Sequence, residues 1–437
     1  MAEGPDERVA VAHLVRRVAF GAPATRVDEL AALGYAGAVD SLLAVGEPDA
    51  AAEAVAPPAF DSARYLAAQD GDAATRAAAA RQARSERRAL LLWWLRRMVA
   101  ADQPVREKVA FLWHDHFATS LEKVRLAELL YRQRHTLYEL GLGRFDALVR
   151  AIARDPAMLI WLDGRENVRA RPNENFAREL FELFTLGHPG HHGSSYDEHD
   201  VAEAARAMTG WRIDRVTGAG VLDPRRRDPG PKAVLGVDGD LGVDDVVAAA
   251  THHPACAPHV VARLWSRLAR PAAPDDPVVI ELAARFADDL DVGRLLRRML
   301  LHPEFRAAAS RGALVRTPVD LVVGTCRALG TTPDETTLGS LLGLGQVPFL
   351  PPDVAGWPAN EAWLSTASAR VRLEWALATA ARVDLEAAGL SHGSSADVAR
   401  ALGVARWGPT TATALEAVTD PRRRLALALV APEHLVA

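Results

Sequence analysis

Hydrophobic residues recur every three or four positions along most of the chain, the spacing that gathers them on one face of an α-helix. Good helix formers, mainly Ala, Leu, Arg and Glu, fill the sequence. The pattern predicts helices over 7–20, 26–45, 62–100 (a pair), 104–117, 121–140, 144–153, 173–186, 196–209, 243–251, 256–268, 278–290, 293–301 and 319–329. After a Gly/Pro-rich segment at 342–363, more helices are expected. The predicted fold class is therefore all-α.

The helical pattern breaks after Trp211, where WRIDRVTGAGVLDP alternates apolar and polar residues around a glycine-rich turn. This alternation predicts a small β-hairpin near 211–223. The next stretch, RRRDPGPKAVLG, is rich in turn residues and is predicted to be a surface loop. No repeat of fixed period occurs, so we expect one large helical body over 1–437, with a sub-boundary allowed at 211–245 around the hairpin and loop.

Charge and cysteine content exclude several classes of function. The formal net charge is −5, and the short basic clusters at 81–88, 224–228 and 421–425 lie among acidic neighbours, so no nucleic-acid partner is predicted. Two cysteines without a CxxC spacing predict neither a disulfide framework nor a cysteine-built zinc site. No membrane span and no signal peptide are recognised, which predicts a cytoplasmic location.

The stretch RPNENFARELFELFTLG combines an apolar helical stripe with a polar one. Glu174, Arg178 and Glu182 follow one another at intervals of four, with Asn175 and Glu179 beside them. Two interpretations are open: a solvent-exposed ladder of salt bridges, or a polar stripe that faces inward at a site. The aromatic flanks and the density of polar groups favour the inward-facing interpretation.

Two more stretches mix histidine or carboxylates with apolar residues. In FLWHDHFATS, His114 and His116 lie on nearly opposite helix faces, so at most one of them faces a given site; a histidine bonded to backbone is the structural alternative. In SYDEHDVAEAARAMTGW, Ser195 and Glu198 are predicted to form a capping box, and Glu203 lies on a polar face that would meet the previous helix.

Other signals are weaker. The loop between the predicted helices 173–186 and 196–209 carries His188, His191 and His192, but a glycine-rich loop is a poor preformed metal site. No phosphate-binding loop, dinucleotide fingerprint, HExxH or GxSxG motif is present. The chain uses arginine almost everywhere; lysine occurs only at positions 108, 123 and 232, which suggests a specific role for Lys108 and Lys232 beside an anionic ligand or a carboxylate.

These stretches resemble, nearly end to end, the large bacterial family catalogued as domain of unknown function eighteen-hundred. The resemblance rests on AHLVRRVAFG, EKVAFLWHDHFATS, RPNENFARELFELFTLG, HDVAEAARAMTGW, DPGPKAVLG, PACAPHVVARLW, TPVDLVVGTCRALG and LGQVPFLPPDVAGWPANEAWLSTASAR. It implies no settled activity. Members are often encoded beside a protein resembling the alkaline-phosphatase superfamily, which is the partner it implies. Many members look exported, and Arg227 stands where the family often has a histidine.

Two hypotheses follow. The first is an enzyme whose buried His/Glu/Asn/Arg pocket performs metal-assisted or acid–base hydrolysis, or oxidation, on an anionic or polar substrate. Its predicted catalytic residues are Glu179, Glu182, His116, Arg178, Glu203 and Lys232. Its predicted ligands for a divalent metal ion are His114, His116, Glu179, Glu182 and Asp228. Its predicted substrate-binding residues are Asn175, Lys108, Trp211 and Trp357.

The second hypothesis is a non-enzymatic helical binding or maturation partner, in which the same polar network only fixes the packing of the helices. Solvent access separates the two hypotheses. A catalytic network opens into a pocket, whereas a structural network is closed and fully paired.

Overall fold

The computed structural model describes residues 5–44, 46, 48–190, 195–214 and 217–437. Helices dominate it, as the hydrophobic spacing predicts. The helices of the first half are α1 (Pro5–Val18), α2 (Ala24–Ala32), α3 (Gly34–Leu43), α4 (Ala50–Glu53), α5 (Ser62–Ala67), α6 (Ala73–Ala100), α7 (Pro104–His116), α8 (Leu121–Val124), α9 (Ala127–Leu140), α10 (Phe145–Ala153), α11 (Pro156–Trp161), α12 (Asn175–Glu179) and α13 (Glu198–Ala207).

The second half is equally helical after a short region of strands. Its helices are α14 (Val243–Thr251), α15 (Cys256–Leu268), α16 (Pro277–Asp289), α17 (Val292–Leu301), α18 (Pro303–Arg306), α19 (Pro318–Leu329), α20 (Glu335–Leu344), α21 (Thr366–Arg382), α22 (Ser395–Ala401), α23 (Pro409–Ala417), α24 (Pro421–Leu429) and α25 (Pro432–Leu435). Short 3₁₀ turns lie at Ala68–Asp70, Gly164–Glu166 and Asn360–Trp363.

Two small antiparallel hairpins interrupt the helices. The first pairs β1 (Trp211–Ile213) with β2 (Gly220–Leu222) and confirms the predicted hairpin; positions 215 and 216 of its turn lie outside the described residues. The second pairs β3 (Lys232–Val234) with β4 (Val237–Gly239), where the sequence predicted only a surface loop. Leu235 and Gly236 both have positive φ, as a tight two-residue hairpin turn requires. The strands are too short for a visible alternation, so the prediction was wrong there.

Two predicted helices are broken by residues with a left-handed backbone. The predicted helix 26–45 divides at Gly34, with φ of 70°, and the predicted helix 121–140 divides at Arg125, with φ of 64°. A left-handed residue ends the helical hydrogen-bond ladder. The six-residue helix α11 was not predicted; Pro156 opens it and the Asp155 side chain caps it.

The predicted helix 173–186 is α-helical only over α12. Leu180–Thr185 continues it as a π-turn, in which the Leu186 amide bonds to the Phe181 carbonyl five residues earlier. The following helix starts two residues later than predicted, because Asp197 and Asp200 form the capping box in place of Ser195 and Glu198.

The hydrophobic core is one continuous cluster of buried side chains that extends from Ala10 to Ala431. Both cysteines are buried and free, in agreement with the predicted absence of a disulfide framework. Within the described part of the chain, no helix is both long and apolar enough to cross a membrane.

Candidate functional site

Helix α7 carries the FLWHDHF stretch, and its histidines are buried among aromatic rings. The His114 Nε2 atom accepts a hydrogen bond of 2.9 Å from the Phe349 amide. The ring lies against Trp94, Phe349 and Trp357. Burial lowers the pKa of His114 to about 3, so the ring is neutral at pH 7. His114 therefore acts as a backbone acceptor that fixes the segment around Phe349.

His116 binds a different part of the molecule, as the opposite-face argument predicts. Its Nε2–H donates to the Phe184 carbonyl at 3.0 Å, and the Nε2–H of His259 donates to the Leu183 carbonyl at 3.0 Å. Both carbonyls lie in the π-turn, where the ordinary helical ladder is interrupted. Burial lowers the pKa of His116 well below its usual value, which keeps the donor neutral. The two histidines together supply hydrogen-bond donors to two backbone carbonyls at the end of this helix.

Asp115, between the two histidines, is a residue that the sequence analysis missed. Its carboxylate accepts from the Trp357 amide at 2.8 Å and pairs with Arg267 at 2.8 Å. Gly356 has φ of 89°, and a Cβ there would lie 2.3 Å from the Asp115 carbonyl oxygen, so only glycine allows this approach. Trp357, predicted to bind substrate, is buried against Phe111 and His114.

The polar stripe of α12 is a salt-bridge network at the surface. Arg178 holds both oxygens of Glu198, at 2.9 and 2.6 Å, and also pairs with Glu174 at 3.1 Å. The Arg178 side chain is 31% exposed and that of Glu198 75% exposed. The inward-facing prediction is thus wrong at Arg178. Asn175 is partly buried, and its amide donates to the Leu162 carbonyl at 3.2 Å.

Glu179 and Glu182 lie one helical turn apart at the edge of this network. Glu182 is 3.7 Å from Arg178 and 3.4 Å from the Nδ1 atom of His188. Burial, followed by the neighbouring Glu182 carboxylate, raises the pKa of Glu179. His191 and His192, in the same loop, lie outside the described residues.

Three further predicted residues, Glu203, Asp228 and Lys232, meet where α13 packs on the second hairpin. Glu203 pairs with Arg206 at 2.7 Å and accepts from the Ala233 amide at 3.1 Å. Arg206 also pairs with Asp228 at 2.8 Å. The Lys232 side chain is fully buried and donates to the Asp228 and Leu241 carbonyls at 2.6 and 3.1 Å.

Every member of this group has a partner, so the network is closed. Trp211 lies beside it in the sequence but packs instead under the guanidinium of Arg154, 5.5 Å from the ring centre.

The predicted metal ligands do not form a set that fits a metal ion. Among the described residues, no three His, Cys, Asp or Glu side chains come together in a group that could hold one. His114 and His116 bond to backbone groups, and Asp228 is held by Arg206. We therefore derive no step that passes through a metal.

A different group of buried charges lines a cleft, here called the cationic cleft. Its charged side chains are Arg16 and Arg17 of α1, Lys108 of α7, Arg267 of α15, Arg316 before α19, and Asp320 in the first turn of α19. Thr317, the N-cap of α19, and Asn360 also line it. The cavity that they enclose is small, about 30 Å³. Asp320 is the only carboxylate side chain among these described lining residues.

Backbone oxygens position most of these cations. Arg16 donates to the His434 and Val436 carbonyls at 3.0 and 2.6 Å, and Arg17 donates to the Ser310 carbonyl at 2.8 Å and to an Ala437 oxygen. Arg316 donates to the Phe20 and Asp320 carbonyls at 3.1 and 2.6 Å.

Gly324 makes the Arg316 position possible, because a Cβ there would lie 2.1 Å from the Arg316 Nη2 atom. Lys108 pairs with Asp320, the buried carboxylate partner that the scarcity of lysine suggested.

The cations of the cleft repel one another in a poorly solvated place. Lys108, Arg17 and Arg316 are 3, 4 and 6% exposed. Burial lowers the pKa of Arg17 to about 9 and that of Arg316 to about 10. Burial, followed in part by repulsion from Arg17 and Arg316, lowers the pKa of Lys108. Three arginines of the cleft have a buried Nε atom without a hydrogen-bond partner among the described residues: Arg16, Arg17 and Arg316.

Of the residues that line this cleft, only Lys108 was predicted from the sequence. Arg17, Arg316 and Asp320 were missed because no periodicity links positions some 300 residues apart in the chain. A signal was present, since the segments VRR and TPVD both belong to stretches that resemble the family. Only the fold brings those stretches together.

The fold and cleft define a large all-helical protein with a compact, positively charged site. Residues 13–436 match the family described as "Protein of unknown function (DUF1800)", and the chain therefore belongs to that family. No curated protein and no solved structure gives a significant match.

Proposed function

We propose that this protein binds a small, multiply charged oxyanion in the cationic cleft. The observation that carries the proposal is the charge imbalance: four cations, Arg16, Arg17, Lys108 and Arg316, outnumber the acceptors that can neutralise them, the Asp320 carboxylate and the Ala437 oxygen bound by Arg17. Arg267 is not counted, because Asp115 neutralises it. Buried charge of one sign is costly unless it is paired, so an anion bound here would relieve repulsion that the unliganded protein carries.

The arrangement also has the geometry of an anion site. The guanidinium and ammonium groups supply directed N–H donors for oxyanions. The cleft includes the first turn of α19, and the dipole of this helix adds positive potential at its N-terminus. The lowered pKa values of Arg17 and Arg316 still lie above neutrality, so both groups stay charged at pH 7.

The closed network of Glu203, Arg206, Asp228 and Lys232 is assigned a structural role. It joins α13 to the second hairpin and leaves no member free to act on a substrate. This part of the molecule favours the hypothesis in which polar residues fix helix packing. The predicted partner, a protein resembling the alkaline-phosphatase superfamily, stays a prediction that co-purification would test.

Calorimetric titration with inorganic phosphate tests the proposal, with Lys108→Met as the variant and Lys123→Met as the matched control. Lys123 is a partly exposed lysine that pairs with Asp163 away from the cleft. We expect saturable heat for the native protein and for Lys123→Met, and a loss of at least about tenfold in affinity for Lys108→Met. Met has a similar length and leaves less buried charge, so this variant should fold.

The opposite result is equally clear. Equal binding by the two lysine variants, or no binding of phosphate, sulfate or arsenate by the native protein at low ionic strength, would overturn the assignment of the cleft.

A second candidate function is acid–base hydrolysis at Glu179 and Glu182. It is favoured by the raised pKa of Glu179, which is the shift that a general acid requires. Neither residue lines the cationic cleft. Hydrolysis of 4-nitrophenyl acetate and 4-nitrophenyl phosphate would test this function. Activity that is lost in Glu179→Gln and kept in Glu174→Gln would support it, and equal rates in both variants would exclude it.

A further inference from the structure

Asp320 is a hydrogen-bond acceptor surrounded by cationic donors, and this limits which oxyanions can bind in the cleft. The carboxylate lines the cleft and is 15% exposed. One oxygen accepts from Lys108, and the other accepts from the Thr317 hydroxyl at 3.1 Å. An ionised carboxylate offers about four lone-pair positions, so acceptor capacity remains beyond these two bonds.

A fully deprotonated tetrahedral anion has no hydrogen to offer this carboxylate. Its oxygens would face the Asp320 oxygens directly, and the repulsion would offset part of the attraction from the cations. An oxyanion that keeps a hydroxyl group can donate that hydrogen to Asp320 and turn the repulsion into a short charge-assisted hydrogen bond.

We propose that the cationic cleft selects oxyanions that carry an O–H donor, such as hydrogen phosphate, over fully ionised ones of the same size and charge, such as sulfate. This inference rests on the proposed function, because it concerns the ligand class of the same cleft. Asp320 acts here as a specificity determinant. The cations supply attraction for any oxyanion, and Asp320 supplies the discrimination between them.

Phosphate and sulfate are a matched pair of probes, because both are tetrahedral dianions near pH 7.5 and only phosphate carries a proton. We expect the native protein to bind phosphate at least roughly tenfold more tightly than sulfate, the difference that one charge-assisted hydrogen bond supports. In Asp320→Asn, the amide can donate to sulfate, so sulfate should gain affinity and the ratio should fall towards one.

A second pair of probes keeps the test independent of any variant. Hydrogen arsenate should bind like phosphate, and selenate should bind like sulfate. Calorimetry in a buffer free of other oxyanions measures all four affinities for the native protein, even if Asp320→Asn does not fold.

The two proposals fail in different ways. If none of the four anions binds, both the cleft function and its selectivity are wrong. If all four bind with similar affinity, the cleft binds anions and the selectivity alone is wrong. A phosphate preference that survives unchanged in folded Asp320→Asn also overturns the role of Asp320.

Discussion

Buried cations are enclosed by protein groups in one place and line a cleft in another. Glu107, fully buried, accepts from Arg97 at 2.7 Å and from Trp94 at 2.9 Å, and it also binds Arg134. Two arginines thus share one carboxylate, with aromatic faces against the arginines. In the cationic cleft, by contrast, Arg16, Arg17, Lys108 and Arg316 line an open space and lack aromatic cover of this extent. The first arrangement holds helices together, and the second is suited to a ligand.

Replacing Glu107 with Gln should lower the free energy of unfolding by about 3–5 kcal/mol, because two buried guanidinium groups lose their counter-ion. Urea denaturation followed by circular dichroism measures this loss. Glu139→Gln is the matched control, since Glu139 pairs with Arg106 at 3.3 Å on the surface and is 48% exposed. A loss of less than about 1 kcal/mol for Glu107→Gln would contradict the structural role.

Asp155 should make stability fall as the pH rises. Burial raises its pKa from 3.8 to about 7 in the folded protein, where it accepts from Gln133 and the Met158 amide. Between pH 3.8 and about 7, Asp155 is protonated in the folded protein and ionised in the unfolded chain. The contribution of Asp155 to stability is therefore complete below pH 3.8 and is lost as the pH rises through about 7.

Asp155→Asn removes this titration and keeps the acceptor oxygen. The variant should gain stability relative to the native protein from pH 4 to pH 8, by a change on the order of 4 kcal/mol for a pKa shift of about three units. Urea unfolding at several pH values measures it. A difference that is constant across this range would show that Asp155 is ionised in the folded protein.

At the scale of elements, periodic spacing predicted the long helices well and the exceptions poorly. Helices α14 and α15 have the predicted ends, because uninterrupted apolar stripes define them. The π-turn in Leu180–Thr185 is held by His116 and His259 from two other helices, as its carbonyl bonds show. Local sequence carries no signal for such contacts.

The π-turn should depend on His116 as a hydrogen-bond donor. His116→Leu leaves the buried Phe184 carbonyl without its partner and should cost about 1–3 kcal/mol of stability. His135→Leu on the exposed side of α9 is the control and should change stability by less than ~0.5 kcal/mol. Hydrogen exchange would add detail, with faster exchange confined to the π-turn and its neighbours. Equal stability of the two variants would show that the His116 bond does not support the turn.

At the scale of the whole molecule, the family and the all-α class could be predicted from sequence, but the site could not. The stretches that resemble the family were identified correctly, and the charged ladder of α12 drew attention to the most polar of them. The fold gathers a different set, with Arg17, Lys108 and Arg316 contributed by three distant segments. The packing of the helices decides which charged side chains form ion pairs and which do not.

The buried histidines should make the molecule sensitive to mild acid. His13 and His114 have pKa values lowered to about 3, and those of His116 and His434 also lie well below 6.5, in each case mainly through burial. The unfolded chain binds protons at these positions below pH 6.5 and the folded protein does not, so stability should fall from pH 7 to pH 5.

The Asp155→Asn background isolates this effect, because Asp155 acts in the opposite direction over the same range. The urea concentration at the unfolding midpoint of Asp155→Asn should decrease steadily from pH 7 to pH 5. A midpoint that is unchanged or higher at pH 5 would mean that the histidines are charged or exposed in the folded protein.

The most direct test of the account is to locate the anion. Arsenate resembles phosphate, keeps a proton at neutral pH and scatters anomalously at the arsenic edge, so crystals soaked in arsenate would reveal its position in an anomalous difference map. We expect a peak in the cationic cleft, within hydrogen-bonding distance of Lys108 and Arg316 and next to Asp320. A clear map with peaks only elsewhere, or with none, would contradict it.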